Sequence, residues 1–253
     1  MIFKQKIPCY VLIFEQTEII ERTLHFLSSY VSDIEIIVIE NPSKNTPKIK
    51  KMMDKMGKSG LIKKHYLLDK NVTGNAFSLI IEKEADYIKQ RKYVMITDGD
   101  IDSQDKTWLK EQKNILKKHR DVFACGISLS TSNLPLKTFS DAKSWIPADM
   151  NETKDYFEAF TGIHLLLMRS KELLAFMSWK AQHNLPFVDG NMHGFCYNEL
   201  HKKWARTKNA TALHLTWDLY QDKNHPYTKF KLAKSFKKMW YHQDTADYSL
   251  TEY

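Results

Sequence analysis

The sequence predicts an α/β fold, with a mostly parallel central sheet flanked by helices, and three features carry that prediction. Short apolar runs rich in strand formers alternate with stretches whose apolar residues recur at helical spacing. Polar and acidic residues gather directly after those runs, at the strand ends where open parallel sheets hold ligands. The fourth run ends in Asp98, Asp100 and Asp102, carboxylates at alternate positions that would repel one another without a neutralising cation.

Residues 8–14, PCYVLIF, form the first expected strand; Glu15-Gln16-Thr17 follows, and then a helix over residues 19–30, IIERTLHFLSSY. Residues 34–39, IEIIVI, are a second buried strand closing at the turn formers Glu40-Asn41-Pro42-Ser43, with a lysine-rich helical stretch beyond. Residues 65–68 are a short third strand, and Asn71-Val72-Thr73-Gly74-Asn75 leads from it into an amphipathic helix over residues 76–90. Residues 93–97, YVMIT, deliver the aspartates. Strands follow at 122–129 and 162–168, separated by a long polar and aromatic loop region over 130–160. That second half is expected to shape a second ligand site.

With 253 residues, 43% hydrophobic and 27% charged, the chain is long enough to bury a sizeable core. Neither an internal repeat nor a clear linker divides it, so one domain is expected over 1–253, read as a first half (1–110), a second half (111–225) and a basic tail (226–253). The net charge of +8 points to an anionic partner. Cys9, Cys125 and Cys196 are odd in number, far apart and without a CxxC pair, which argues against a disulfide framework or a thiolate zinc site and fits a reducing cytoplasm. The N-terminal apolar run is too short to span a membrane and lacks a small-residue cleavage site, so a mature soluble chain is expected.

The aspartate run admits several readings. As an EF-hand it fails, because position six is Ser103 instead of Gly, position twelve is Leu109 instead of Glu, and the preceding segment is a strand. As the Asp-x-Asp of a haloacid-dehalogenase-like phosphatase it has Asp102 where Thr or Val is usual, and it lies on the fourth strand instead of the first. A solvated acidic turn is the plain alternative.

The order of strand and Glu15, strand and Glu40-Asn41-Pro42-Ser43, Asn71-x-x-Gly74, then strand and Asp98-Gly99-Asp100 resembles the donor-binding half of GT-A-fold glycosyltransferases of the family-2 type. The resemblance covers roughly the first 110 residues and implies a GT-A fold with residues 1–110 as the nucleotide-sugar-binding half. It implies that Glu15 and Thr17 line the nucleotide pocket and that Glu40 accepts hydrogen bonds from base or ribose. Asn71 and Gly74 would let the backbone approach the nucleotide, with glycine supplying conformational freedom. Asp98 would reach ribose or metal, and Asp100 would hold Mn²⁺ or Mg²⁺ on the diphosphate of a UDP-sugar, offsetting charge on the departing phosphate. Asp102 is either a supporting carboxylate or, by preference, a surface residue.

Downstream, residues 212–217, ALHLTW, place His214 where many such enzymes supply a further metal ligand; a core histidine is the even alternative. The family often carries its base in a Glu-Asp pair ahead of a helix. Here Val188 replaces the first acid and Asp189 precedes a helix expected over 195–206, so Asp189 is the candidate catalytic base, with Glu199 as runner-up. Trp145, Asp149, His164 and His193 are weaker candidates for the acceptor side. The tail over 227–240, YTKFKLAKSFKKMW, interleaves lysines with aromatics at near-helical spacing; it either lies on an anionic membrane or packs its aromatic face on the domain.

The expected activity is therefore metal-dependent transfer from a nucleotide-sugar to a glycan, glycolipid or glycoprotein acceptor, inverting by resemblance, in the cytoplasm or peripheral to a membrane. The alternatives are a sugar-phosphate nucleotidyltransferase, whose glycine-rich loop is missing from FEQTEIIER, and a noncatalytic nucleic-acid-binding protein. For the last, no RNA-recognition motif, zinc finger or helix-turn-helix is found, and no nucleic-acid partner is expected.

Overall fold

A computed structural model describes residues 5–233 and 245–253. The chain opens β1 (Ile7–Ile13), α1 (Thr17–Ser28), β2 (Ile34–Glu40), α2 (Thr46–Lys58), β3 (Lys64–Leu68), α3 (Asn75–Lys83), α4 (Ala85–Lys89) and β4 (Tyr93–Asp98). It continues through β5 (Ile101–Asp102), α5 (Trp108–Lys118), β6 (Val122–Leu129), β7 (Asn151–Glu152), β8 (Phe157–Glu158), β9 (Leu166–Arg169) and α6 (Ser170–Gln182). The last elements are α7 (Asp189–Gly194), β10 (Lys203–His214), α8 (Thr216–Leu219), α9 (Pro226–Ala233) and β11 (Tyr248–Glu252).

These strands form one sheet in the order β11-β3-β2-β1-β4-β9-β6-β10-β8-β7, with β5 paired to β10. Pairs β1–β2, β2–β3, β1–β4 and β6–β10 are parallel, whereas β9 runs antiparallel to both β4 and β6. The sheet is thus mixed, with a parallel block at its centre.

The two-residue period of the strands sorts side chains between two cores. Cys9, Val11 and Ile13 of β1 join Ile36 and Val38 of β2 on one face, under Ile20 and Leu24 of α1 and Ile49 and Met53 of α2. Tyr10, Ile37 and Ile39 point to the other face, beneath Phe77 and Ile80 of α3 and Phe176 of α6. The chain therefore winds β1-β2-β3 with helices on one face, then crosses back to β4 on the far side of β1 with α3 and α4 on the opposite face. Right-handed crossovers demand that exchange of faces when the direction reverses. Between the carboxyl ends of β1 and β4 lies the switch point, where such sheets leave a crevice.

Several sequence expectations are corrected here. The single helix over 76–90 breaks at Glu84, whose buried carboxylate is taken by Lys64 at 2.9 Å and by the Tyr66 hydroxyl. The helix expected over 195–206 is only a wide turn at Phe195–Glu199, and Lys203–Arg206 already belong to β10, with Trp204 and Ala205 fully buried in the sheet. The strand expected from residue 162 begins at Leu166, since the His164 amide donates to the Gly162 carbonyl at 2.9 Å and Leu165 has φ +45°. β11 was not anticipated; it docks antiparallel on β3, and the Tyr253 hydroxyl donates to Asp54 Oδ1 at 2.8 Å.

All three cysteines are free and buried. Among the described residues no helix is long and apolar enough to cross a membrane. For the C-terminal tail, α9 packs aromatics inward: Phe230 lies 5.9 Å from Phe14 and 6.4 Å from Tyr227 between ring centroids. Phe236 and Trp240 fall outside the described residues.

Candidate functional site

A cavity of about 710 Å³ opens at the β1/β4 switch point. Eight of the sequence-predicted residues line it: Asn71, Gly74, Asp98, Asp100, Asp189 and His214, with Trp145 and His164 from the acceptor-side candidates. These come from positions up to 143 residues apart in sequence, brought together because β3, β4 and β10 run the same way and end at the same edge of the sheet, with Asp189 arriving at the start of α7.

Asp98 closes β4, with its amide donating to the Ile163 carbonyl at 3.0 Å. The next residue must be small: a Cβ on Gly99 would sit 2.6 Å from Ile13 Cγ2 and 3.0 Å from the Leu12 carbonyl, to which the Gly99 amide donates at 2.8 Å. This close approach lets the chain turn against β1 and aim Asp100 back into the cavity.

Asp100 Oδ2 accepts from the Thr216 hydroxyl at 2.7 Å, and His214 Nδ1 lies 3.0 Å from that hydroxyl and 3.5 Å from Asp100 Oδ2. The hydroxyl has one proton, which it gives to the carboxylate, so His214 donates from Nδ1 and keeps the lone pair on Nε2. The His214 ring stacks on Trp217, with 4.9 Å between centroids and 6° between planes.

Electrostatics divide the carboxylates. For Asp98, burial in the cleft, reinforced by Asp100 and partly offset by Lys231, raises the carboxyl well above its ordinary range. Burial would raise Asp100 as well, but His214, His164, the Thr216 hydroxyl and Lys231 together hold it below the ordinary range. Burial also lowers His214, and it lowers His164, with His214 adding, to about 3. Both imidazoles are neutral near pH 7, the form in which histidine can donate a lone pair.

The other predicted residues lie elsewhere. Glu40 is fully buried with Oε2 2.9 Å from His65 Nε2, an interior pair away from the cavity wall. Its neighbour Asn41 lines the cavity instead, donating to the Thr73 carbonyl and accepting from the Val72 amide, both at 3.0 Å. Thr17 is buried in the first turn of α1, and Glu15, with φ +61°, pairs with Lys44 at 3.2 Å; Gln16 between them faces the cavity. Gly74 has ordinary helical angles, φ −64° and ψ −19°, and the left-handed residue is Thr73, at φ +53°. What Gly74 supplies is space, since a Cβ there would stand 3.1 Å from the Phe187 carbonyl.

Asp102 is not a surface residue. It is 6% exposed, and its Oδ2 accepts from Arg22 Nε at 2.7 Å and lies 2.6 Å from Arg22 Nη2, holding β5 to α1. Glu199 is exposed and away from the cavity. Of the acceptor-side candidates, Trp145 and His164 line the cavity, His193 lines a chamber beside it, and Asp149 pairs with Arg206 at 2.6 Å.

Residues missed in the sequence are Thr216, Trp217, Tyr220, Tyr227 and Lys231, all on the cavity wall. The near-helical spacing of Phe230, Ala233, Phe236 and Trp240 signalled a helix, yet nothing local showed that one lysine would face two aspartates. Among the described residues no three of His, Cys, Asp and Glu converge as a metal-binding group on their own.

No protein-family model matches the chain. Among solved structures, it is similar to GalNAc-T7 with UDP, GalNAc and Mn²⁺, at a TM-score of 0.56 and 11% identity over 83% of this chain and 43% of that one. It is also similar to the mannosyltransferase PcManGT from Pyrobaculum calidifontis in complex with GDP-Man and Mn²⁺, at a TM-score of 0.51 and 13% identity over 97% of this chain and 67% of that one. This is a GT-A fold.

Two relatives by sequence come from Acanthamoeba polyphaga mimivirus. Uncharacterized protein L137 is 40% identical over 251 residues, covering 98% of this chain and 34% of that protein. Uncharacterized protein L142 is 39% identical over 253 residues, covering 98% and 51%. The GT-A chain thus spans about a third to a half of the viral relatives it matches. The cavity sits over the β1/β4 crevice, and part of its lining is an aromatic cluster of Trp145, Trp217 of α8, Tyr220 and Tyr227 of α9.

Proposed function

We propose that this GT-A chain is a metal-dependent glycosyltransferase unit that transfers a sugar from a nucleotide-sugar, a UDP-sugar by preference, to a glycan acceptor with inversion. One observation carries the reading: the switch-point cavity collects Asp98, Asp100, His214 and Asp189 on one wall system, with Asp100 ionised and His214 neutral. Both structural neighbours described above are named with Mn²⁺ and a nucleotide or nucleotide-sugar, which supports the ligand class.

The donor set fits a hard divalent cation. Asp100 Oδ1 is buried without a hydrogen-bond partner, Asp98 keeps 40% of its side chain accessible, and His214 carries its lone pair on Nε2. Asp98, Asp100 and His214 would hold Mn²⁺ or Mg²⁺ together with the donor's phosphates. When bound, the cation supplies electrostatic stabilisation of the departing diphosphate.

The protein's own groups do the rest. Thr216 and His214 fix the Asp100 carboxylate in one orientation. Lys231 adds positive charge to the cavity where phosphate charge grows. Asp189 begins α7, exposed to the cavity, with Oδ1 accepting from the Gly190 amide at 2.8 Å. It would take the proton of the acceptor hydroxyl as that oxygen attacks the sugar carbon.

Thermal unfolding with UDP, GDP and their sugars, with and without Mn²⁺, tests the reading. A ligand at a hundred times its Kd stabilises by about 2.7 kcal/mol, so a Mn²⁺-dependent rise in Tm with at least one nucleotide is expected. No shift with any of them would sink it.

A further inference from the structure

Beside the main cavity lies a second chamber of about 220 Å³. The two share Leu129, Trp145, His164 and Asp189, so Asp189 stands at the junction. The size separates their occupants. Pockets for drug-sized ligands run to roughly 300–1,000 Å³, which suits the main cavity, whereas the chamber has room for one ring.

Its walls are of two kinds. Trp145, Ile146, Pro147 and Phe160 are apolar or aromatic, while Arg206, His193 and Asp189 are polar. Phe160 packs against His193, with ring centroids 4.1 Å apart and planes tilted by 35°. His193 gives its Nε2 proton to the Thr161 carbonyl at 3.0 Å, which leaves Nδ1 as an acceptor. Arg206 is fixed by Asp149 at 2.6 Å and lies over the Phe157 ring at 5.1 Å, while its Nε is buried without a hydrogen-bond partner.

Charge decides which ring fits. Arg206 is, among the described residues, the cation lining the chamber, and Asp149 neutralises it; Asp189 then leaves the chamber with a negative balance. Burial holds His193 below its ordinary value, with Asp189 opposing, so the imidazole adds no positive charge near neutral pH. A carboxylate or phosphate would meet Asp189 without a free counter-charge, whereas hydroxyls could use Arg206 as donor and Asp189 and His193 as acceptors. Apolar and aromatic side chains in the same lining as such groups suit the C–H face of a sugar ring.

We propose that this chamber is a subsite for a single neutral pyranose, the terminal sugar of the acceptor, with Arg206, Trp145 and His193 reading its identity. It rests on the transferase reading only for the word acceptor; the binding itself stands on the chamber.

Saturation-transfer NMR with the methyl glycosides of glucose, galactose and mannose tests it, with glucuronic acid and glucose 6-phosphate as anionic counterparts. At millimolar concentration, with and without UDP and Mn²⁺, at least one neutral glycoside should show transfer to its ring protons. Arg206→Met and Trp145→Ala should each weaken that binding about tenfold, the loss of one hydrogen bond to a charged group or of one stacking partner. Arg206 lies in the sheet, so the exposed Asp149→Asn serves as the variant that keeps the fold and should weaken binding less. Absence of transfer with every neutral sugar, preference for the anionic sugars, or binding indifferent to all three variants would overturn the proposal. Sugar binding in a protein that no nucleotide stabilises would instead remove the transferase reading and leave the subsite standing.

Discussion

His214 and Asp100 approach to 3.5 Å, but the Thr216 hydroxyl, 3.0 Å from one and 2.7 Å from the other, is what joins them. This relay fixes the histidine's tautomer and the carboxylate's orientation with a single proton. It ties the end of β10 to the turn after β4 across more than a hundred residues of sequence.

Thr216→Val keeps the shape of the side chain and removes the relay. Loss of such an orienting partner typically weakens metal affinity by about 10–100-fold. Titration with Mn²⁺, read by nucleotide-dependent stabilisation, should show that loss with the apo-protein's Tm little changed. Unaltered Mn²⁺ dependence would show that the relay has no part in cation binding.

Asp189→Asn keeps the side-chain size and removes the proposed base. Donor-induced stabilisation should stay at the wild-type level while sugar transfer falls by about 10²–10⁴-fold, the usual share of general-base catalysis. Transfer at the wild-type rate would return the role to another residue.

Asp102→Asn separates structural from functional carboxylates in one run of sequence. The Arg22 partner is half exposed, at 49%, so the pair is partly screened and its loss should cost about 1 kcal/mol in urea unfolding. The Mn²⁺ dependence should not move. A change in cation affinity comparable to that of Asp100→Asn would place Asp102 in the site.

Acid should destabilise the fold through His164. Its folded value, about 3, lies below the ordinary 6.5, so between these values the unfolded chain binds a proton that the folded chain does not. Stability is therefore full above about pH 6.5 and declines as pH falls toward 3, by at most about 1.4 kcal/mol per pH unit. Asp98, raised in the folded state, opposes this above the ordinary carboxylate range. His164→Asn should flatten the decline measured by urea unfolding at pH 7 and pH 5; an unchanged slope would refute the assignment.

The legibility of the fold varied with the range of the forces involved. The strands over 34–39, 65–68, 93–97 and 122–129 were readable because burial on both faces writes continuous apolar runs. The segment 195–206 was read as a helix, whereas the burial of Trp204 and Ala205 in the sheet beside β6 outweighs local propensity. β11 left no strong signal: its burial alternates only weakly, and its place depends on the exposed edge of β3 and on the gap at Gly57, where a Cβ would overlap the Tyr253 ring.

The site divided in the same way. Asp98, Asp100, Asn71 and Gly74 were legible because they follow strands β3 and β4, and the carboxyl ends of parallel strands meet at one edge of the sheet. Glu40 misled by its position at the end of β2: whether that side chain faces the cavity or His65 depends on which way the strand's last residue points.

The sequence by itself determined the alternation of strands and helices, the edge of the sheet that gathers carboxylates, and most of the acidic residues that line the cavity. Only the tertiary structure decided that Asp102 belongs to Arg22, that Thr216 joins His214 to Asp100, and that Lys231 of α9 faces the aspartates. Local propensity and periodicity are properties of neighbouring residues and can be read along a chain. Pairing between side chains a hundred residues apart is fixed by how the packed sheet and helices bring their ends together, and no stretch of sequence records that alone.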